Sequence, residues 1–283
     1  MKVYDGYFAD PFVLRLPEGG YAAYGTGSMV DGRAFEILRS ADLVHWERVG
    51  GALEPLDGFT DYWAPEVAFH DGAYYLYYSP GVGDQGHRVR VAVCESPWGP
   101  FRDAGVVLTP GERFAIDASP FRDADGQWYL YYACDVLEGE RVGTTVAVDR
   151  LVTMTEVAGE PRVLLRASDD WQIFLRDREM YGAVYDWHTL EGPFVVRRDG
   201  RYVLFYSGGS WERDTYGVSY AIADHPLGPF TEPEVGPVVL RDGRGHNCVV
   251  DDSIVYHAWE GERRVMCVAP LRWDGLRPRA VPA

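Results

Sequence analysis

The sequence predicts an all-β protein, a five-bladed β-propeller whose blades are four-stranded antiparallel sheets. Three observations carry this prediction. One hairpin plan recurs five times along 283 residues; aromatic side chains reach 14% beside 32 Gly and 18 Pro; and no apolar run reaches the ~18 residues of a membrane helix. Aromatic and β-branched residues suit pleated, half-buried surfaces, while Gly and Pro suit the tight turns between short strands. The same mixture argues against a helical bundle.

The first unit is DPFVLRLPEGGYAAYGTG from Asp10, and the second is APEVAFHDGAYYLYYSPG from Ala64. The third is ASPFRDADGQWYLYYACD from Ala118, and the fourth is EGPFVVRRDGRYVLFYSGG from Glu191. Each reads proline, apolar strand, glycine-containing turn, aromatic strand. A weaker fifth, HNCVVDDSIVYHAWEG from His246, puts Asn247 in the proline's place and loses the turn glycine. With prolines at 11, 65, 120 and 193 and Asn247 fifth, the intervals are 54, 55, 73 and 54 residues, one blade each.

The turns PEGG, HDG, DADG and RRDG join two strands per unit, and the alternation in YYLYY and YVLFY sends successive rings to opposite faces. Third and fourth strands follow, as in HRVRVAVCES then GPFRDAGVVL, and YGVSYAIADHPLGPF then EPEVGPVVL. Radial stacking buries both apolar faces of such sheets and leaves only short edges. The third interval carries about twenty extra residues, 169 to 188, poor in alternation, which predicts a surface loop or a lid. No linker or composition break divides the chain, so one domain spans 1–283. A β-sandwich leaves the recurring proline unexplained. A WD-type propeller needs its dipeptides in every unit, and Gly245-His246 with Trp273-Asp274 occurs once.

Twenty-seven basic against 43 acidic side chains give a net charge of −16, which repels nucleic acid and anionic lipid, so neither is an expected partner. MKVYDGYFAD has no charged-then-apolar leader, which predicts a cytoplasmic protein, or a secreted one if a leader has been trimmed. Cys94, Cys134, Cys248 and Cys267 are widely separated, without CxxC or Cys/His ligand spacing, and read as buried reduced thiols.

In a propeller the first strand of each blade lines the central channel, so residues at its start converge on one opening. Asp10, Asp117 and Glu191 stand at that position in three units. Any one of them alone is explained as a turn or cap acid. Their equivalence within a repeat points to a shared pocket, and paired acids there suggest glycoside hydrolysis, in which one carboxyl protonates the leaving oxygen while another activates water.

ADPFV at Ala9, WAPEV at Trp63, IDASPF at Ile116 and EGPFV at Glu191 resemble, in order and spacing, the inner-strand motifs of glycoside hydrolase family 43. The resemblance runs from Asp10 to about Trp273. It implies a five-bladed propeller that hydrolyses arabinose or xylose linkages with inversion and needs no cofactor for the chemistry. By motif, Asp10 is the general base, Asp117 the modulator of pKa and orientation, and Glu191 the general acid, with base and acid carboxyls about 6.5–9.5 Å apart.

His246, in GHN, resembles a family position beside a central metal ion or water cluster. Calcium or another structural ion there stands against a histidine bonded to its neighbours. Trp63 is either a platform for the sugar ring or a core tryptophan; Tyr181, Trp187 and Trp211 are candidate leaving-group contacts; Glu66 is assigned a structural role. The expected partner is an arabinose- or xylose-containing oligosaccharide. The chain ends soon after its fifth unit, where β-xylosidases of the family commonly carry a further sandwich. That feature, with VGTTVAVDRLVTMTEVAGEPRVLLRASDDWQ and SGGSWERDTYGVSYA, predicts an exo-acting α-L-arabinofuranosidase on arabinan or arabino-oligosaccharides. A β-xylosidase is the alternative. A carbohydrate-binding propeller without catalysis is the alternative of another class, and it has no need of three acids.

Overall fold

The computed structural model describes residues 1–281. Four strands in chain order make blade 1: β1 (Ala9–Arg15), β2 (Tyr21–Thr26), β3 (Ala34–Ser40) and β4 (Trp46–Leu53). Blade 2 repeats the plan with β5 (Asp61–His70), β6 (Ala73–Gly81), β7 (Arg90–Cys94) and β8 (Arg102–Val107). In blade 3, β9 (Ala115–Arg122), β10 (Trp128–Val136) and β11 (Gly143–Thr153) are edged by β12 (Glu156–Val157) and β13 (Arg162–Leu165). A 3₁₀ turn, Asp170–Gln172, and β14 (Ile173–Met180) then lead to blade 4, with β15 (Ala183–Arg198), β16 (Arg201–Gly208) and β17 (Gly217–Ala223). Blade 5 comprises β18 (Gly245–Val250), β19 (Ser253–Glu260), β20 (Arg263–Asp274) and β21 (Arg277–Ala280). The predicted five-bladed propeller is the observed fold.

Two elements depart from the prediction. Blade 4 lacks a continuous fourth strand, and the edge of β17 meets only the single bridges Ile222↔Thr231 and Val218↔Leu240. Pro229, Pro233 and Pro237 crowd that segment, and a proline has no N–H to give a ladder. The extra residues 169–188 are neither open loop nor free lid. They form a hairpin in which β14 pairs with the first half of β15, from Ile173↔His188 to Met180↔Ala183. The same half of β15 pairs in parallel with β11 through Gly143↔His188 and Thr144↔Thr189, which welds blades 3 and 4 into one sheet.

The ring closes without a covalent link. The N-terminal ammonium donates to the Val268 carbonyl, Val3 N–H to that of Met266 and Phe8 N–H to that of Arg264, so the first residues run along β20 of blade 5. The apolar clusters lie between blades. One joins blade 1 to both neighbours, and three others join blades 2 and 3, 3 and 4, and 4 and 5. All four cysteines are free, as expected; three are buried and Cys94 is half-buried.

One local device recurs in every blade. The innermost strand slips register once, so that two residues face one on the second strand: Asp10-Pro11, Ala64-Pro65, Asp117-Ala118, Gly192-Pro193 and His246-Asn247. The first residue of each β-bulge is left-handed, with φ of 48°, 48°, 58°, 55° and 50°. Four of the five are not glycine, and each such residue costs about 1 kcal/mol or more unless its surroundings hold it there. The bulge also corrects the alignment drawn from the prolines. In blade 3 Ala118 takes the place of Pro11, and Pro120 lies two residues beyond it.

Tyrosines in the second strands tie neighbouring blades. Tyr24 Oη donates to the Pro97 carbonyl at 2.6 Å, and the corresponding Tyr131 Oη donates to the Pro226 carbonyl at 2.7 Å; both rings are fully buried. Tyr131→Phe keeps the ring but leaves that carbonyl without its donor. The expected loss is about 1–2 kcal/mol of unfolding free energy, read as a lower urea midpoint with an unchanged slope. A midpoint equal to wild type would remove this bond from the account of blade joining.

Candidate active site

The bulges bring distant residues to one place. A cavity of about 180 Å³ at the start of the inner strands is lined by Asp10, Trp63, Ile116, Asp117, Glu191, Trp211, His246 and Arg264. Asp10, Asp117 and His246 are bulge residues of blades 1, 3 and 5, while Trp63, Ile116 and Glu191 immediately precede the bulges of blades 2, 3 and 4. Asp10 and Asp117 are thus strict counterparts, and Glu191 stands one residue earlier in the repeat. Such a cavity holds one sugar ring and little more.

Each carboxyl has its own surroundings. Burial works against the charge of Asp10, but Arg264 Nη1 donates to Oδ1 at 3.2 Å, and the His246 and His257 rings stand 3.4 and 3.3 Å from the same oxygen. The Arg264 cation wins, and holds the Asp10 carboxyl well below the usual carboxylate range. Glu191 goes the other way. Burial pushes its pKa up to about 7, opposed by the Tyr216 hydroxyl, which donates to Oε1 at 2.6 Å, and reinforced by the negative charge of Asp10. Asp117, buried and facing the charges of Glu191 and Asp10, is also raised, while Oδ2 accepts the Gly192 N–H at 2.8 Å. Gly192 sits close under the His246 ring, where φ is +55° and a Cβ would lie 3.3 Å from the ring. Near neutral pH the pocket therefore presents an ionised carboxylate and a protonated one.

Trp63 is half-buried and lies flat on His87, with ring centroids 3.7 Å apart at 19°, and Phe114 buttresses the pair. Trp211 lines the cavity with the Arg264 guanidinium 4.5 Å from its ring. Tyr181 and Trp187 stand outside. Tyr181 opens onto a separate cleft beside Arg113 and Arg178 and donates to Asp135 at 2.7 Å, and Trp187 is buried beneath the inserted hairpin. Glu66 is buried and is not among the residues that line the cavity.

His246 is bonded to its neighbours: its N–H donates to Ser207 Oγ at 2.8 Å, and its ring faces Asp10 and Asp117. Among the described residues no group of three His, Cys, Asp or Glu side chains is arranged to hold one ion. Calcium takes six or more oxygen ligands, and here Arg264 already supplies the cation beside Asp10. The donors do not fit a calcium cage.

Sequence reasoning missed Arg264, His257 and Tyr216. All three lie outside the inner strands where the repeat directs attention: Arg264 lines the pocket from β20, while His257 from β19 and Tyr216 from the approach to β17 hold Asp10 and Glu191 from behind.

A one-sugar cavity at the centre of a propeller, with carboxyls poised in opposite protonation states, is the equipment of a glycoside hydrolase. The chain belongs to glycosyl hydrolases family 43, whose profile matches residues 3–276. It is 30% identical to a beta-D-galactofuranosidase of Aspergillus niger, over 90% of this chain and 75% of that protein. It is 26% identical to an extracellular exo-alpha-(1->5)-L-arabinofuranosidase of Streptomyces chartreusis, over 88% of this chain and 79% of that one. A thermostable family-43 glycoside hydrolase of known crystal structure superposes with a TM-score of 0.84 at 29% identity, over 98% of this chain and 93% of that one. Other relatives are named as xylosidases and arabinanases, so the family fixes the kind of bond broken while the sugar varies.

Proposed function

We propose that the chain is an inverting, exo-acting α-L-arabinofuranosidase that removes terminal arabinose from arabinan or arabino-oligosaccharides. The observation that carries the mechanism is the split between Asp10, held ionised by Arg264, and Glu191, kept protonated by burial up to about pH 7. Asp10 takes a proton from water, and the water oxygen bonds to the anomeric carbon. The glycosidic C–O bond breaks, and its oxygen leaves with the Glu191 proton. Asp10 ends protonated, Glu191 ends ionised, and the anomeric configuration is inverted. Asp117 holds the backbone beside the acid through the Gly192 N–H, and its raised carboxyl limits the negative charge around Glu191.

Two features support a terminal furanose. The cavity has room for one ring, and two of the relatives above are named for cleaving furanosides. Trp63 and Trp211 supply flat apolar walls for the sugar's C–H face. The test runs para-nitrophenyl α-L-arabinofuranoside and β-D-xyloside in parallel and follows the first product anomer by proton NMR. Arabinofuranoside turnover that exceeds xyloside turnover, with the inverted anomer appearing first, is expected. A retained anomer would assign one carboxylate as a nucleophile and end the water-activating role of Asp10, and faster xyloside turnover would make the enzyme a β-xylosidase.

A further inference from the structure

At three of the five joints between blades a second-strand side chain accepts the bulge N–H of the next blade, and one of the three departs from the other two. On the second strand, facing the residue before each bulge, stand Thr26, Ser79, Ala133, Ser207 and His257. Thr26 Oγ1 accepts the bulge N–H of the next blade, that of Ala64, at 2.8 Å, and Ser207 Oγ accepts that of His246 at 2.8 Å. At the joint that closes the ring, His257 Nδ1 accepts the Asp10 N–H at 3.2 Å. A hydroxyl serves this purpose at the Thr26 and Ser207 joints, whereas Ser79 Oγ accepts nothing and Ala133 has no hydroxyl. The imidazole is larger, wholly buried, and leaves Nε2 without a partner.

The flat ring explains the difference. It lies parallel to Tyr216, with centroids 5.7 Å apart and planes 5° off, and Tyr216 is itself wholly buried with its hydroxyl on Glu191. Gly245 makes room for this pair, since a Cβ there would run into the Tyr216 ring. His257 thus grips the base by its backbone, Tyr216 grips the acid by its carboxyl, and the two rings press on each other. Because the Asp10 N–H points at Nδ1, the lone pair sits there and the proton on Nε2. The ring is neutral, as its burial, which lowers it to about 4, also favours.

We propose that His257 and Tyr216 are positioning residues that act as one stacked unit, fixing the carboxyls of Asp10 and Glu191 relative to each other across the joint of blades 4, 5 and 1. The inference rests on the acid and base roles proposed above.

The groups facing Glu191 are Tyr216, Asp10, Asp117, Arg264 and the His246 ring beside Gly192; Tyr216→Phe changes only the first. Its hydroxyl stabilises the carboxylate, so its loss raises the acid's pKa. In kcat/KM on an arabino-oligosaccharide across pH, the alkaline limb is expected to move up by about half a unit to one unit, with a loss of about tenfold at the optimum. His257→Ser, which keeps an acceptor of the kind found in blade 4, is expected to lose about 10- to 100-fold in kcat with little change in KM. The double variant should lose less than the product of the single losses, because the rings act together. An unmoved alkaline limb, full activity in His257→Ser, or losses that simply multiply would each overturn the proposal. If His257→Ser does not fold, the limb of Tyr216→Phe decides alone. An active Glu191→Ala would remove the acid role itself, whereas an inactive Glu191→Ala with an unmoved limb in Tyr216→Phe overturns only the stacked unit.

Discussion

Glu191→Ala is expected to lose about 10² to 10⁴ in kcat/KM on arabino-oligosaccharides, and Asp10→Ala a comparable factor, but on substrates with better leaving groups the two losses should diverge. A sugar alkoxide leaves only with a proton, which Glu191 carries because burial holds its pKa near 7. A dinitrophenolate leaves without one. The deficit of Glu191→Ala therefore shrinks toward wild type on the activated aryl arabinofuranoside, and its alkaline limb disappears along with the titrating group. No such relief is available to Asp10→Ala, because water needs a base whatever departs. Its deficit should stay within a few-fold across the series. Equal deficits for both variants on every leaving group would place Glu191 outside proton donation, and near-wild-type turnover by Asp10→Ala would remove it as the base.

How much of this was legible in the sequence follows from where each residue lies in the repeat. The prolines announced four inner strands and Asn247 the fifth, because a proline that ends a ladder bond at a bulge leaves a visible mark. The bulge that does the structural work left no such mark in blade 3, where Ala118 replaces the proline, and so the alignment drifted by two residues. Asp10, Asp117, His246, Trp63 and Glu191 were found because they are bulge residues or their immediate neighbours. Arg264, His257 and Tyr216 were not, because side chains from outside the inner strands meet Asp10 and Glu191 only after the ring closes, and no local pattern encodes that closure. Trp187 had the composition of a binding residue, but the hairpin that carries it folds over its ring and buries it. Alternation failed along 169–188 for a related reason: this hairpin exposes Leu175 on one strand and Val184 on the other, so neither face reads as a core.

Arg264→Met is expected to act on both stability and catalysis through one carboxylate. The guanidinium is seven-eighths buried, donates to Asp10 at 3.2 Å and to the Tyr7 hydroxyl at 3.1 and 2.9 Å, and lies over the Trp211 ring. Its removal leaves Asp10 buried among imidazoles that burial keeps neutral. Breaking a buried ion pair from one side costs about 3–5 kcal/mol. The sign with pH is fixed by the direction of the shift. In the wild type the Asp10 carboxyl is depressed, so its contribution to stability is complete above the unfolded carboxyl value of about 4 and is lost as the pH falls below that. The gap between wild type and variant should therefore be widest at neutral pH and narrow toward acid. Without the guanidinium, burial raises the carboxyl, and kcat/KM gains an acid limb at a pH where the wild type is still fully active. Urea titrations at neutral and acid pH, with a pH–rate profile of the folded variant, measure both effects. A gap that does not narrow, with an unchanged acid limb, would show that Arg264 holds the blade 5 rim together without setting the charge on Asp10.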